Sequence, residues 1–201
     1  MRSSGDEVQR RAFDVVVASL GLIVFAPLMA LIAVLIKLES PGPVLFKQKR
    51  VGKDEELFEV MKFRSMTVAE AGEQRAEEKV DDIESFVFQP KGRKTRIGRV
   101  LRASSLDEMP NLINVLRGDM SIVGPRPDEP ELVAQYLPEW RRRHVVKPGI
   151  TGLAQVNGRA DLTYSEMMNY DLQYVDNRSF AGDMRILLKT AGVVIRREGA
   201  R

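Results

Sequence analysis

The sequence predicts an α+β protein in two parts. Residues 1–38 form a polar tail and a membrane helix, and residues 39–201 form a globular domain with a small β element and several helices, some of them amphipathic and suited to a membrane interface. Three observations carry this prediction. Residues 15–36 hold no charge, two segments between 44 and 66 read as strands, and from residue 96 onward apolar residues recur at helical spacing between turns.

Composition bounds the rest. With 201 residues, 44% hydrophobic and 29% charged, the chain suits one domain with a core plus an appendage. The balance of 31 basic against 28 acidic residues is only +3, so it calls for no nucleic-acid partner, and the positions of the charges matter more than their sum. The absence of cysteine excludes a disulfide framework and thiolate-bound metal, and it suits a cytosolic face. One histidine, His144, excludes every site that needs two imidazoles, which leaves oxygen-ligated Mg²⁺ or Mn²⁺ as the metals to consider.

In chain order, the uncharged run Val15 to Ile36 would span roughly 33 Å as a continuous helix, enough to cross a hydrocarbon core of about 30 Å. It is too long for the apolar core of a signal peptide, and no small-x-small cleavage site closes it. Pro27 near its midpoint removes one helical hydrogen bond and predicts a kink. Arg10 and Arg11 precede the run, and Lys37, Lys47, Lys49, Arg50 and Lys53 follow it. A single span would put one basic flank on the wrong side. Two readings stay open on the residues alone, a kinked transmembrane helix or a helix that enters, breaks near Pro27 and returns.

ESPGPVLFKQKRVGK at 39–53 leaves the membrane through a Pro-Gly-Pro turn into an extended segment, and LFEVMKFRSM at 57–66 alternates as a second strand. Residues 68–90 are polar and carry no chemistry. KGRKTRIGRVLRA at 91–103 has the spacing of a short helix with Arg96, Arg99 and Arg102 on its polar side. Residues 128–143 read as a helix kinked or ended by Pro138, and Trp140 with its three following arginines suits a bilayer interface. A turn-rich segment at 147–159, a helix near 165–177 and a basic amphipathic helix over 183–197 complete the chain.

The centre is SSLDEMPNLINVLRGDMSIVGPRP, residues 104–127. Ser105-x-x-Glu108 matches a capping box, whereas Pro110 would begin a helix naturally. On either reading Asp107 and Glu108 lie at or just before a helix N-terminus, where the dipole keeps Asp107 ionised and offers a place for phosphate. Adjacent side chains diverge by about 100°, so the two carboxylates take separate roles: one attacks a phosphorus or carbon centre while the other orients it, binds metal or handles a proton. Two anions facing a polyphosphate need cations, and the candidates are Mg²⁺, Lys62, Arg64, Arg102, Arg126 and Arg159. Gly124, Gly152 and Gly158 would let backbone approach phosphate. His144 reads as structural, with no partner evident beside it.

KFRSM at 62–66, LRASSLDEMPNLINVLRGDMSIVGPRP at 101–127 and KPGITGLAQVNGR at 147–159, behind a proline-broken apolar N-terminus, together resemble the bacterial sugar transferase family, the small monotopic polyprenol-phosphate phosphoglycosyl transferases. The resemblance covers nearly the whole chain. It implies transfer of a sugar 1-phosphate from a UDP-sugar to a polyprenol phosphate, typically undecaprenyl phosphate, with release of UMP, as the first membrane step of surface glycan or glycoconjugate assembly. It implies Mg²⁺ as cofactor, membrane lipids as partners, and a catalytic domain over 39–201 on the cytosolic face of the bacterial inner membrane.

By the same resemblance Asp107 attacks the β-phosphorus, carries the sugar phosphate covalently and contacts Mg²⁺, while Glu108 supports the chemistry. Arg102, Arg126 and Arg159 fall on arginines near phosphate or nucleotide, and Lys62 and Arg64 on the basic strand motif. The family's re-entrant helix often has Ser-Pro at its break, where this chain has Ala26-Pro27. The resemblance implies re-entry rather than spanning, with Trp140, Arg141, Arg142, Arg143 and the terminal helix resting on the interface. A different class of reading is a membrane-tethered scaffold that holds anionic lipids without catalysis, Asp107 and Glu108 serving only as a helix cap. The sequence specifies no sugar, polyprenol length or oligomeric state.

Overall fold

The protein is described by a computed structural model covering residues 4–66, 82–86, 94–158 and 161–196. Helix α1 (Ser4–Glu39) runs as one 36-residue element with Pro27 in its interior, so the break expected there is not a break in the helix assignment. Among the described residues it is the one helix long and apolar enough to cross a membrane.

Both ends of α1 dock on the same globular body. Near its start Arg10, Asp14 and Ala18, one turn apart, are buried. Asp14 Oδ1 accepts from Ser121 Oγ at 3.0 Å and the Ile122 N–H at 2.8 Å. Arg11 donates to the carbonyls of Val115 and Leu116 at 2.6 and 2.7 Å. Near its end Ile32 and Ile36 pack with Phe63 and Leu101. Between these anchors Ile23, Val24, Phe25, Ala26 and Pro27 are all exposed. Five consecutive helical residues sweep about 400°, more than a full turn, so this stretch stands clear of the domain on every side.

Strands β1 (Leu45–Val51) and β2 (Leu57–Phe63) form the expected antiparallel hairpin, paired from Leu45↔Phe63 to Val51↔Leu57. Opposite residues share a face, which places Gln48, Arg50, Val60 and Lys62 together. Helix α2 (Arg96–Ala103) is capped by Thr95, whose side chain accepts from the Gly98 N–H, and α3 (Asn111–Arg117) ends on Gly118 in the left-handed region at φ 96°.

Strand β3 (Ser121–Val123) pairs in parallel with β4 (Gly149–Thr151), a contact absent from the turn-rich reading of 147–159. A Cβ on Gly149 would sit 2.1 Å from the Gly124 nitrogen, so these glycines serve close approach of backbone to backbone rather than to phosphate.

The single helix expected over 128–143 is instead two short pieces, α4 (Pro130–Val133) and a 3₁₀ helix over Pro138–Val145. Each begins at a proline, which can start a helix but cannot sit inside one without losing a hydrogen bond. After α5 (Leu153–Val156), helix α6 (Tyr164–Asn177) opens with a complete capping box between Thr163 and Glu166, and α7 (Phe180–Arg196) closes the described fold.

The interfacial role expected for Trp140 and Arg141 to Arg143 is overturned at Trp140 and Arg143, while Arg141 and Arg142 stay exposed. Trp140 is 4% exposed and packs in a core with Tyr136, Tyr164 and Met168. The Arg143 side chain is 1% exposed, paired with Asp128 and with Asp171 at 2.6 Å. Arg141 and Arg142 pair with Glu55 and Asp176. A tryptophan beside arginines looks the same in sequence whether the arginines meet lipid phosphates or buried aspartates.

Candidate active site

Asp107 and Glu108 lie in a 3₁₀ turn, Leu106–Glu108, immediately ahead of α3. Ser105 adopts the left-handed conformation at φ 57° and makes no side-chain cap, so the capping box does not form. Glu108 is therefore free of helix capping and faces the hairpin. Its Oε1 accepts from Lys62 Nζ at 3.0 Å and from Arg126 Nη2 at 2.9 Å. Lys62 comes from the site-facing side of β2, and Arg126 from the turn after β3. That turn is held by the Val51 N–H, which donates to the Asp128 carbonyl at 2.9 Å, and by Arg143, which donates to the Arg126 carbonyl.

Asp107 is buried, and among the described residues no group donates a hydrogen bond to its carboxylate. Burial and the neighbouring Glu108 charge push its pKa up, against the pull of Lys62, Arg102 and Arg126. The dipole argument for an easily ionised Asp107 is thus corrected: desolvation wins. Burial also opposes ionisation of Glu108, but Arg126 and Lys62 together overcome it and hold that carboxyl far below the usual range. Lys62 and Arg102 are pulled down by burial, while Glu108 raises Arg126. Two adjacent carboxylates have been driven apart, one a fixed anion and the other a desolvated group with open lone pairs.

Arg102 belongs to this set. Its Nε donates to Ser65 Oγ at 3.0 Å, and Asp107 is the nearest anion acting on its charge. Arg64 does not. Its Nη2 donates to the Ser40 carbonyl at 2.7 Å and Ser40 Oγ at 3.0 Å, and Nη1 to the Pro41 carbonyl, so it ties down the end of α1 rather than facing Glu108. Strand alternation would put residues 62 and 64 on one face, but the strand ends at Phe63 and the chain turns before Arg64. Arg159 lies outside the described residues. Reading the sequence missed Arg50, which lines a cavity with Lys62, Glu108, Asn111 and Arg126. Its signal was the two-residue spacing Gln48-x-Arg50 on the strand, hidden within a basic flank.

No three acidic or imidazole side chains cluster as a metal cage among the described residues. Asp107 nonetheless offers unengaged carboxylate oxygens, and Mg²⁺ commonly takes one or two protein carboxylates and completes its shell with substrate phosphates and water. The donor set therefore fits Mg²⁺. His144 is structural as expected, but it does have neighbours. Its ring stacks on Tyr136 with centroids 5.8 Å apart and lies 3.6 Å from Glu55, and burial with Arg143 lowers its pKa to about 4.

A family model described as bacterial sugar transferase matches residues 5–197. A UDP-glucose:undecaprenyl-phosphate glucose-1-phosphate transferase of Caulobacter vibrioides is 41% identical over 96% of this chain and 72% of its own length. A UDP-N-acetylgalactosamine-undecaprenyl-phosphate N-acetylgalactosaminephosphotransferase of Aeromonas hydrophila is 40% identical over 96% of this chain but only 45% of its own length. The exopolysaccharide production protein ExoY of Rhizobium meliloti is 39% identical over 95% of this chain and 87% of its own.

Proposed function

The chain belongs to the bacterial sugar transferase family, and on that footing we propose that it transfers a sugar 1-phosphate from a UDP-sugar to a polyprenol phosphate, undecaprenyl phosphate by analogy with the relatives' names. One observation carries the reading: a buried carboxylate without hydrogen bonds, Asp107, sits beside Glu108, Lys62, Arg102 and Arg126, a set able to neutralise a diphosphate.

In the first step an Asp107 carboxylate oxygen attacks the β-phosphorus of the nucleotide sugar. The bond from that phosphorus to the oxygen bridging the two phosphates breaks, and UMP leaves with the bridging oxygen and the electron pair. An acyl phosphate then joins Asp107 to the sugar phosphate. In the second step a phosphate oxygen of the polyprenol phosphate attacks the same phosphorus, forming the sugar-diphospho-polyprenol and returning Asp107 as a carboxylate. Partial burial favours the nucleophile, because a carboxylate that accepts no hydrogen bond from the protein has less solvation to lose on attack. Lys62, Arg102 and Arg126 oppose the charge that builds on the phosphoryl oxygens. Glu108, ionised throughout, keeps Lys62 and Arg126 together. Asp107 would be the residue to hold Mg²⁺, which would supply further stabilisation of the phosphoryl charge when bound.

The topology of α1 supports this placement. Both of its ends dock on one body while Ile23 to Pro27 stands free, which suits a helix that dips into one leaflet and returns, with the active site at the cytosolic face where a soluble donor meets a lipid acceptor.

Asp107→Asn tests the reading directly. The variant is expected to bind membranes normally and to release no UMP from a UDP-sugar above background, a loss of about a thousandfold or more. Wild type incubated with donor alone is expected to gain the mass of one sugar phosphate. Turnover surviving in Asp107→Asn would overturn the nucleophile assignment, and absence of the adduct would favour direct transfer in a ternary complex.

A further inference from the structure

The cavity beside Glu108 holds a third cation that the catalytic assignment leaves unused. Arg50 and Gln48, two residues apart on β1, point to the same face, and Glu129 approaches them from the start of α4. Gln48 Nε2 donates to Glu129 Oε1 at 2.9 Å, and Arg50 Nη2 lies 2.6 Å from Gln48 Oε1 and 2.9 Å from Glu129 Oε1. One end of the guanidinium is thereby gripped by two acceptors. The other end is nearly idle, since Nη1 makes a single long contact of 3.5 Å with the Pro127 carbonyl. The Arg50 side chain is 16% exposed, and it lines the same cavity as Lys62 and Arg126.

Lys62 and Arg126 are already engaged by Glu108, so each must share its charge between that carboxylate and any incoming phosphate. Arg50 shares its charge with Glu129, but its opposite N–H edge carries no carboxylate and only a long contact to the Pro127 carbonyl. A guanidinium held at one side and open at the other is suited to a phosphate oxygen, because its orientation is set before the ligand arrives.

We propose that Arg50 is a donor-binding residue, its free edge taking an oxygen of the nucleotide's diphosphate while Gln48 and Glu129 hold its orientation. This rests on the transferase reading above. It adds a residue of the hairpin to the nucleotide side of the site, and it makes β1 a part of substrate recognition rather than a membrane flank. The acceptor lipid, which arrives at the phosphorus only after the nucleotide has left, gains nothing from this contact.

The test compares Arg50→Gln and Arg50→Lys with wild type in the full-length, detergent-solubilised protein, each checked for an unchanged melting temperature. Arg50→Gln is expected to raise KM for the UDP-sugar about tenfold or more and to weaken UDP binding by the same factor, with KM for the polyprenol phosphate unchanged. UDP binding is measured by calorimetry with Asp107 intact, since UDP carries no sugar phosphate to transfer. Arg50→Lys keeps a charge but cannot satisfy both holders and the phosphate, so its shift should be smaller and in the same direction.

Gln48→Leu leaves Arg50 in place and loosens one holder, and a rise of about threefold in donor KM is expected. It keeps the question open to measurement if both Arg50 variants misfold, because an unchanged donor KM in Gln48→Leu would then count against the proposal. Unchanged donor KM in a folded Arg50→Gln, or equal losses for donor and acceptor, would overturn it. Those outcomes differ from failure of the transferase reading, in which wild type itself would release no UMP.

Discussion

Two buried charge clusters lie side by side in this protein, joined by the turn from Arg126 to Asp128, and they are built on opposite rules. In the first, Asp128 accepts from Tyr136, Tyr164 and Arg143, and Arg143 also meets Asp171. In the second, Glu108 binds Lys62 and Arg126, but Asp107 next to it receives no hydrogen bond among the described residues. Burying charge costs several kcal/mol in either place. The first cluster recovers much of that cost with hydrogen bonds at Asp128, though Arg143 Nε and both ring nitrogens of the adjoining His144 stay unpaired, and it holds the turn that aims Arg126. The second leaves part of it unrecovered at one aspartate. Neither buried charge nor an unpaired buried atom by itself therefore marks a reactive site; what sets Asp107 apart is a carboxylate without a hydrogen bond facing several cations, Lys62, Arg102 and Arg126.

The comparison can be broken by stability measurements, and the largest effect belongs to the first cluster. Arg143→Met strips the partner from two buried aspartates and is expected to cost about 3–5 kcal/mol of unfolding free energy in denaturant titration, with activity falling as the turn loosens. A loss under about 1 kcal/mol would mean the network is not the brace described.

Next comes the pH dependence of His144, which faces Arg143, Glu55 and Asp128 and stacks on Tyr136. Its folded pKa of about 4 lies below an unfolded value near 6.5. The folded state thus binds the proton less well, so the contribution is intact above about pH 6.5 and is lost as pH falls toward 4, by roughly 3 kcal/mol at most. His144→Phe keeps the stack and removes the titration. The stability difference between wild type and this variant should change across that window and be flat above it.

The smallest effect is expected at the reactive site. Asp107→Asn, expected to abolish turnover, should leave the unfolding midpoint unchanged or raise it, because burial already disfavours the charged carboxylate. A clear loss of stability would show that Asp107 is braced like Asp128, and the distinction between the clusters would fall.

Much of this was legible in sequence. The uncharged run, the alternation over 45–63, the helix bearing Arg102 and the proline that opens α3 behind Asp107 and Glu108 are all local patterns, and local patterns survive in the structure because propensity and periodicity act within a few residues. Lys62, Arg102 and Arg126 were also found from motifs. What failed were assignments that depend on who meets whom. Arg64 was placed with Lys62 by motif, yet it caps the exit of α1. Trp140 and Arg143 carried the signature of an interface and went to a core. Ser105 matched a capping box that its left-handed backbone prevents. Arg50 was hidden in a basic flank until the hairpin register put it on the face of Lys62.

By itself the sequence determined the membrane-seeking helix, the hairpin, the position of the carboxylate pair ahead of a helix and the family that these motifs share. Only the tertiary structure decided that the two carboxylates are unequal, that both ends of α1 dock on one body, and which arginines face the site. The physical reason is range. Hydrophobic periodicity and proline chemistry are set by neighbours in the chain, whereas the state of a charge is set by its burial and by the ions the fold brings to it from far along the sequence.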